Sequence, residues 1–275
     1  MARSFDGVDD NISYGDNFDI TTAALTITAW VNPTNGGEGN FGRIVDKRDG
    51  SNTGYTFIMN DSTIVDGLAL LIGTGAASPQ VNSDASCITF GAWQHVAVTY
   101  DGSNARFYVN GVAKGAPALT GTPANSATNF MIGNRPTGDR TFAGLIEDVC
   151  VYNRVLSAAE IFNITIDPFV HPNGLIFLDY LDGVTARNVL DNVQGTITGA
   201  TQADSHPKRS SIWRSRKPTR VLLSLGISPS PSVSPSVSPS SSESASVSPS
   251  ISPSVSPSVS PSSSESASVS PSISP

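Results

Sequence analysis

The sequence predicts an all-β fold: an antiparallel β-sandwich or jelly roll with one short helix and a disordered C-terminal tail. Three observations carry that expectation. Residues 25–31, LTITAWV, alternate strictly, which puts Leu25, Ile27, Ala29 and Val31 on one strand face and Trp30 on the other. Turn residues recur roughly every 8–12 positions through the first part of the chain, the spacing of short sandwich strands. One helix start is written plainly, Ser157-Ala-Ala-Glu160, a capping box in which hydroxyl and carboxylate satisfy the orphan amides of a first turn.

Taken in order, further strands are predicted at residues 43–45, 55–59, 68–72, 87–90, 93–100, 105–109, 130–132 and 145–152. Asp101-Gly102 and Asn110-Gly111 mark hairpin turns, because Asp, Asn and Gly adopt positive φ at low cost. The helix should run from Ser157 to about residue 163 and stop before Pro168. A folded region is therefore expected over 1–205. A basic linker follows at 206–227, carrying Lys208, Arg209, Arg214, Arg216, Lys217 and Arg220. From 228 to 275, 36 of 48 residues are Ser or Pro, and the 22-residue stretch 232–253 repeats unchanged at 254–275. Without aromatic residues such a segment cannot bury enough apolar surface to offset chain entropy, so it reads as a disordered spacer.

Composition excludes several classes. The net charge of −7 divides into 10 basic against 21 acidic residues over 1–207, the basic linker, and two tail glutamates. An acidic folded part argues against nucleic acid as a partner. No run of 18 apolar residues exists, so no membrane-spanning helix is expected, and the start MARSFDGVDD has no apolar signal core. Cys87 and Cys150 allow one bridge or two free thiols. Of the acids 18 are Asp and only 5 Glu, a balance suited to turns and loop ligands.

The motifs then assemble. SFDGVDDNISYG (4–15), TITAWVNP (26–33), AWQHVAVTYDGSNARFYVNGV (92–112), IGN (132–134) and GLIEDVCVYNRVLSAAEI (144–161) resemble a laminin-G-like jelly roll of the concanavalin A-like lectin/glucanase superfamily. The resemblance covers residue 4 to about 163. Residues 174–201, GLIFLDYLDGVTARNVLDNVQGTITGAT, resemble a segment that in many members precedes the FDG strand. Here it follows the helix. The expectation is a permuted arrangement completing the sandwich beside residues 4–14; the alternative is an incomplete second module.

What the resemblance implies about chemistry is mostly negative. Hydrolases of the superfamily carry a Glu-x-Asp-x-Glu strand whose alternate carboxylates act as nucleophile and acid/base. The folded part has only Glu38, Glu147 and Glu160, none paired at that spacing, so a non-catalytic role is expected. The family's structural Ca2+ would fall at Asp6 and at Glu147 and Asp148, with Asp9 and Asp10 as further donors; otherwise these are turn acids satisfied by amides. Trp93 resembles the family's packed core tryptophan, with His95 packed beside it. Sugar binding needs an aromatic platform and convergent polar groups, and the candidates are Trp30, Asp46, Lys47, Tyr55, Asn60, Asn134 and Arg135. The expected partner is a glycan or glycoprotein. A second reading makes the module a phage virion component, a tail or decoration protein with virion partners; both place it on a virion or an extracellular surface.

Overall fold

A computed structural model describes residues 1–207 except 49, 51, 62 and 63. Most of the predicted linker and all of the Ser/Pro repeat lie outside the described residues. The chain begins with β1 (Ala2–Asp6) and β2 (Asn11–Ser13), joined by an acidic loop. The alternating segment becomes β3 (Leu25–Pro33), followed by β4 (Gly42–Asp46), β5 (Thr53–Asp61), β6 (Ile64–Thr74) and β7 (Gln80–Asn82). Next come β8 (Gln94–Tyr100), β9 (Ala105–Val109), β10 (Val112–Ala113), β11 (Met131–Ile132) and β12 (Ala143–Tyr152). After α1 (Ala158–Ile164) the chain adds β13 (Leu175–Asp179), β14 (Ala186–Arg187), β15 (Gln194–Thr198) and β16 (Thr201–Ala203).

These strands form two antiparallel sheets. The first runs β10-β9-β8-β3-β12-β1-β16, with β13 also pairing β12; the second runs β14-β15-β2-β11-β4-β5-β6-β7. Residues 174–203 thus ladder onto both sheets: Cys150 faces Leu178, Ile12 faces Ile197 and Arg3 faces Gln202. Between the sheets Leu25, Ile27, Ala29 and Val31 meet Tyr55, Phe57, Leu70, Phe107 and Phe177, all fully buried. Each such aliphatic or aromatic side chain contributes roughly 1.5–3 kcal/mol by leaving water.

The outer face of the first sheet is buried as well. Ala97, Tyr108, Cys150, Tyr152 and Leu178 pack under Leu156 and the α1 residues Ile161 and Ile164. Thr26 on that face donates its hydroxyl to the Arg154 carbonyl at 2.7 Å and accepts from the Leu156 amide at 3.0 Å. The helix starts as the capping box dictates, with Ser157 and Glu160 bonding reciprocally. Among the described residues no helix is long and apolar enough to cross a membrane.

Local chemistry explains the turns. Asn110 and Gly111 sit at φ 51° and 79° between Val109 and Val112, which face each other directly, the two-residue turn that Asn-Gly favours. Asp101-Gly102 opens a longer connection, in which the Asp101 carboxylate accepts from the Ser103 and Asn104 amides.

Two expectations need correction. Residues 87–90 form no strand: the Ser86 and Ile88 amides bond to the Val65 and Asp66 carbonyls from a loop that drops Ile88 into the core. The strand beside β6 is instead β7, whose sequence Gln-Val-Asn shows little apolar patterning. The predicted linker boundary at 206 also moves, since His206 is buried against the first sheet. Cys87 and Cys150 are free thiols, and burial pushes the Cys150 thiol well up.

Candidate functional site

Lys47 follows β4 and is fully buried. Its Nζ donates to Asp16 Oδ1 (2.8 Å) and to the carbonyls of Ser126 (3.0 Å) and Thr128 (2.8 Å), with Asp19 Oδ1 at 3.3 Å. One cation thus gathers two loops. Asp46 pairs with Arg43 at 3.0 Å and accepts from the Arg48 amide; burial raises its carboxyl and Arg43 opposes that. Tyr55 donates its hydroxyl to the Phe18 carbonyl at 2.7 Å. Asn60, in the left-handed region at φ 65°, accepts from the Asp66 amide. Asn134 donates to Thr141 Oγ1 at 2.7 Å and accepts from the Arg135 and Arg140 amides. Arg135 grips Asp139 with two nitrogens and is the only one of these six with a half-exposed side chain. The rim expected from strand-end polarity therefore lies almost wholly inside the fold, because neighbouring loops bring partners to each group.

Trp30 is covered too. On the outer face of the first sheet it stacks on His206, with centroids 4.1 Å apart and planes 8° from parallel. His95 stands edge-on to Trp30 at 5.7 Å. Trp93 precedes β8, half-buried and edge-on to His206 at 6.0 Å, so it is not the core tryptophan the resemblance implies. Opposite Trp30, Glu147 accepts from Ser205 Oγ at 2.9 Å and the His206 amide at 3.0 Å, with the Met1 ammonium at 3.7 Å. Asp148, at φ 51° in the β12 bulge, lies 3.5 Å from His206 Nε2.

This arrangement corrects the expected metal set. Asp6 faces Ala143, four residues along β12 from Glu147, a separation of roughly 13 Å at strand rise. Glu147 and Asp148 fasten residues 205–206 instead. Asp6 meets Asp9 and Asp10, whose carboxylate oxygens converge within 4.8 Å. That donor set suits a hard cation. Two of its oxygens already serve the loop: Asp10 Oδ2 accepts from the Asp6 amide and Asp6 Oδ1 from the Val8 amide, both at 2.8 Å. Burial, then its acidic neighbours, raise the Asp10 carboxyl against the pull of that amide bond.

A cleft of about 250 Å³ opens over the β13–β14 turn, lined by Asp179, Tyr180, Asp182, Gly183, Val184, Thr185, Arg187 and Val189. Its floor is rigid. Asp179 accepts from the Tyr14 hydroxyl (2.7 Å), the Leu181 amide (2.7 Å) and the Arg187 amide, and Arg3 donates to the Gly183 carbonyl. Burial pushes the Asp179 carboxyl up to about 6, with Asp182 adding to the rise. None of these residues was a sequence candidate. The one signal was the Asp182-Gly183 dipeptide, which marks a turn and no chemistry.

The model of the concanavalin A-like lectin/glucanases superfamily matches residues 6–162. The chain belongs to this superfamily. Over 152 residues it is 27% identical to adhesion G-protein coupled receptor V1 of Danio rerio, covering 53% of this chain but 2% of that receptor. Among solved structures it is similar to a "putative carbohydrate binding protein" from Bacteroides ovatus ATCC 8483, at 21% identity and TM-score 0.57, over 73% of this chain and 58% of that one. It is also similar to the heptameric SAP-like pentraxin of Limulus polyphemus, at 17% identity and TM-score 0.55, over 76% and 97% of the two chains.

Within the superfamily match lie the saturated groups Trp30, Asp46, Lys47 and Glu147. The β13–β14 cleft and the Ser205-His206 latch lie beyond its last residue, in the strands that follow α1.

Proposed function

We propose that the folded part is a non-catalytic carbohydrate-binding module whose ligand is a glycan, free or carried on a glycoprotein. The superfamily spans lectins and glucanases, and one observation favours binding: every glutamate of the described residues has a structural task. Glu147 receives Ser205 and His206, Glu160 closes the α1 capping box and pairs with Arg154 at 2.7 Å, and Glu38 accepts from the Thr141 amide. No two of them form the in-register pair that double displacement needs. Asp179, the acid raised to about 6, has both oxygens engaged by three donors, which leaves neither for proton delivery to a bound glycoside. The likeness to the "putative carbohydrate binding protein" of Bacteroides ovatus and to a pentraxin supports the same reading at the level of the scaffold, where ligands meet loops on a rigid sandwich.

The full chain, screened on a glycan array and incubated with soluble β-glucans, tests this. Retention of one or more glycans without release of reducing sugar is the expected result. Release of reducing ends that survives purification to homogeneity overturns the non-catalytic reading; failure to retain any glycan overturns the binding reading.

A further inference from the structure

We infer that the uncovered end of the first sheet's outer face binds a stretch of neutral oligosaccharide chain laid across its strands. The inference deepens the glycan-binding reading and rests on it. Alternation and register come first. Trp30 and Glu147 lie on the outer face, so Asn32, two positions on in β3, and Leu145, two positions back in β12, share it. Asn32 faces Leu145, Leu145 faces Ser4, and Ser4 faces Thr201. Trp93 falls one residue beyond the Gln94–Val31 pair, which sets it beside Asn32. The five form one row from β8 across β3, β12 and β1 to β16. At the spacing of neighbouring strands the row is roughly 19 Å long.

Elsewhere this face is spent. Leu156 and α1 cover one end, and His206 covers Trp30 in the middle. Among the described residues nothing closes over the row beyond: Thr201 is exposed and the other four are partly so. Its polar groups are unspent as well. The Trp93 indole N–H, the Asn32 amide and the Ser4 and Thr201 hydroxyls have no hydrogen-bond partner among the described residues and reach water.

The row then selects chemistry. Donors and acceptors set beside an indole ring and the Leu145 side chain match a sugar's hydroxyl rim and its C–H face. No charged side chain stands in the row. A carboxylated or sulfated chain would find no counter-charge there, on a fold that carries 10 basic against 21 acidic residues over 1–207. Rigidity helps an open surface of this kind. The strands holding Asn32, Leu145 and Ser4 are paired on both sides, over buried Val31, Ile146 and Phe5. The Gln94 carboxamide fixes the approach to Trp93 by bonding the Thr89 amide and the Thr89 and Ala92 carbonyls. Little freedom is left to lose on binding.

The test uses the full chain, read on the glycan array and titrated with cellohexaose, mannohexaose and laminarihexaose, their monosaccharides, and an acidic oligogalacturonate. At least one neutral hexaose should bind, more tightly than its monosaccharide. Trp93→Ala and Asn32→Ala should each weaken it about tenfold with the melting temperature unchanged. Trp93→Phe keeps a ring and deletes only the indole N–H; it should lose less, and it reads the same site if Trp93→Ala is unstable. Binding undiminished in all three variants, or an array glycan retained with no hexaose bound, overturns this site while leaving the module reading intact. Affinity that does not grow from monosaccharide to hexaose overturns the chain assignment, and preference for the oligogalacturonate overturns the neutral one. A wild-type chain that binds no glycan on the array and no free sugar removes both readings together.

Discussion

Lys47 and the β13–β14 turn are both rich in charge, and they use it in opposite ways. At Lys47 a cation out of contact with water has two carboxylates and two carbonyls around its ammonium. At the turn, Asp179 is equally saturated, but Asp182, Thr185 and Arg187 line an open cleft above it. The lesson is that polarity at a strand end says nothing about availability. A buried charge must be paired, so the fold itself fills the need for partners, and polarity at a strand end is spent on the fold before any ligand can use it.

The sharpest way to break this comparison is Lys47→Met. The substitution keeps the stem's volume but strands the Ser126 and Thr128 carbonyls and leaves Asp16 and Asp19 facing each other. Because Asp16 is half exposed, the loss should fall at the low end for a broken buried ion pair, about 3 kcal/mol in urea denaturation. Glycan affinity of the protein that remains folded should not change. Loss of affinity at undiminished stability would make Lys47 a binding residue after all and reverse the contrast.

Why one region was legible in the sequence and the other was not follows from range. Alternation at 25–31, the Asn110-Gly111 turn and the Ser157–Glu160 box are local, and each appears where the local rule puts it. Residues 87–90 misled because Ile88 is apolar for a loop's reason, its drop into the core, rather than a strand's. Lys47 finds its acceptors 31, 79 and 81 positions away, and Asp179 meets Tyr14 across 165. No pattern within a strand reports such partners. The same distance defeated the metal assignment: Asp6 and Glu147 lie on neighbouring strands, yet the register separates them.

A second, smaller effect sharpens the comparison through pH. Burial raises Asp179 to about 6 from an ordinary 3.8, so between about pH 4 and pH 6 the native state holds a proton that the unfolded chain has released. Stability therefore falls as pH climbs through that window, by about 2 kcal/mol if Asp179 acts alone. Glu160 has the opposite sign. Arg154 lowers it from 4.5 to about 2, so its contribution is complete above pH 4.5 and disappears as pH falls through 4.5 toward 2. Thermal melts from pH 3 to 7 should resolve both slopes, and Asp179→Asn should remove only the upper one. If the upper slope survives in that variant, another acid carries it.

The smallest effect concerns Trp30, the aromatic that sequence would choose as a sugar platform. His206→Ala keeps the backbone amide that bonds Glu147 but deletes the ring stacked at 4.1 Å, which should lower stability by about 1 kcal/mol and shift tryptophan emission to the red as water reaches Trp30. The informative measurement is glycan affinity in the same variant. If Trp30 and Glu147 are structural, affinity stays at the wild-type value. If affinity rises, the Ser205-His206 latch is a lid over a sugar platform on the outer face of the first sheet, and the saturated and open regions exchange roles.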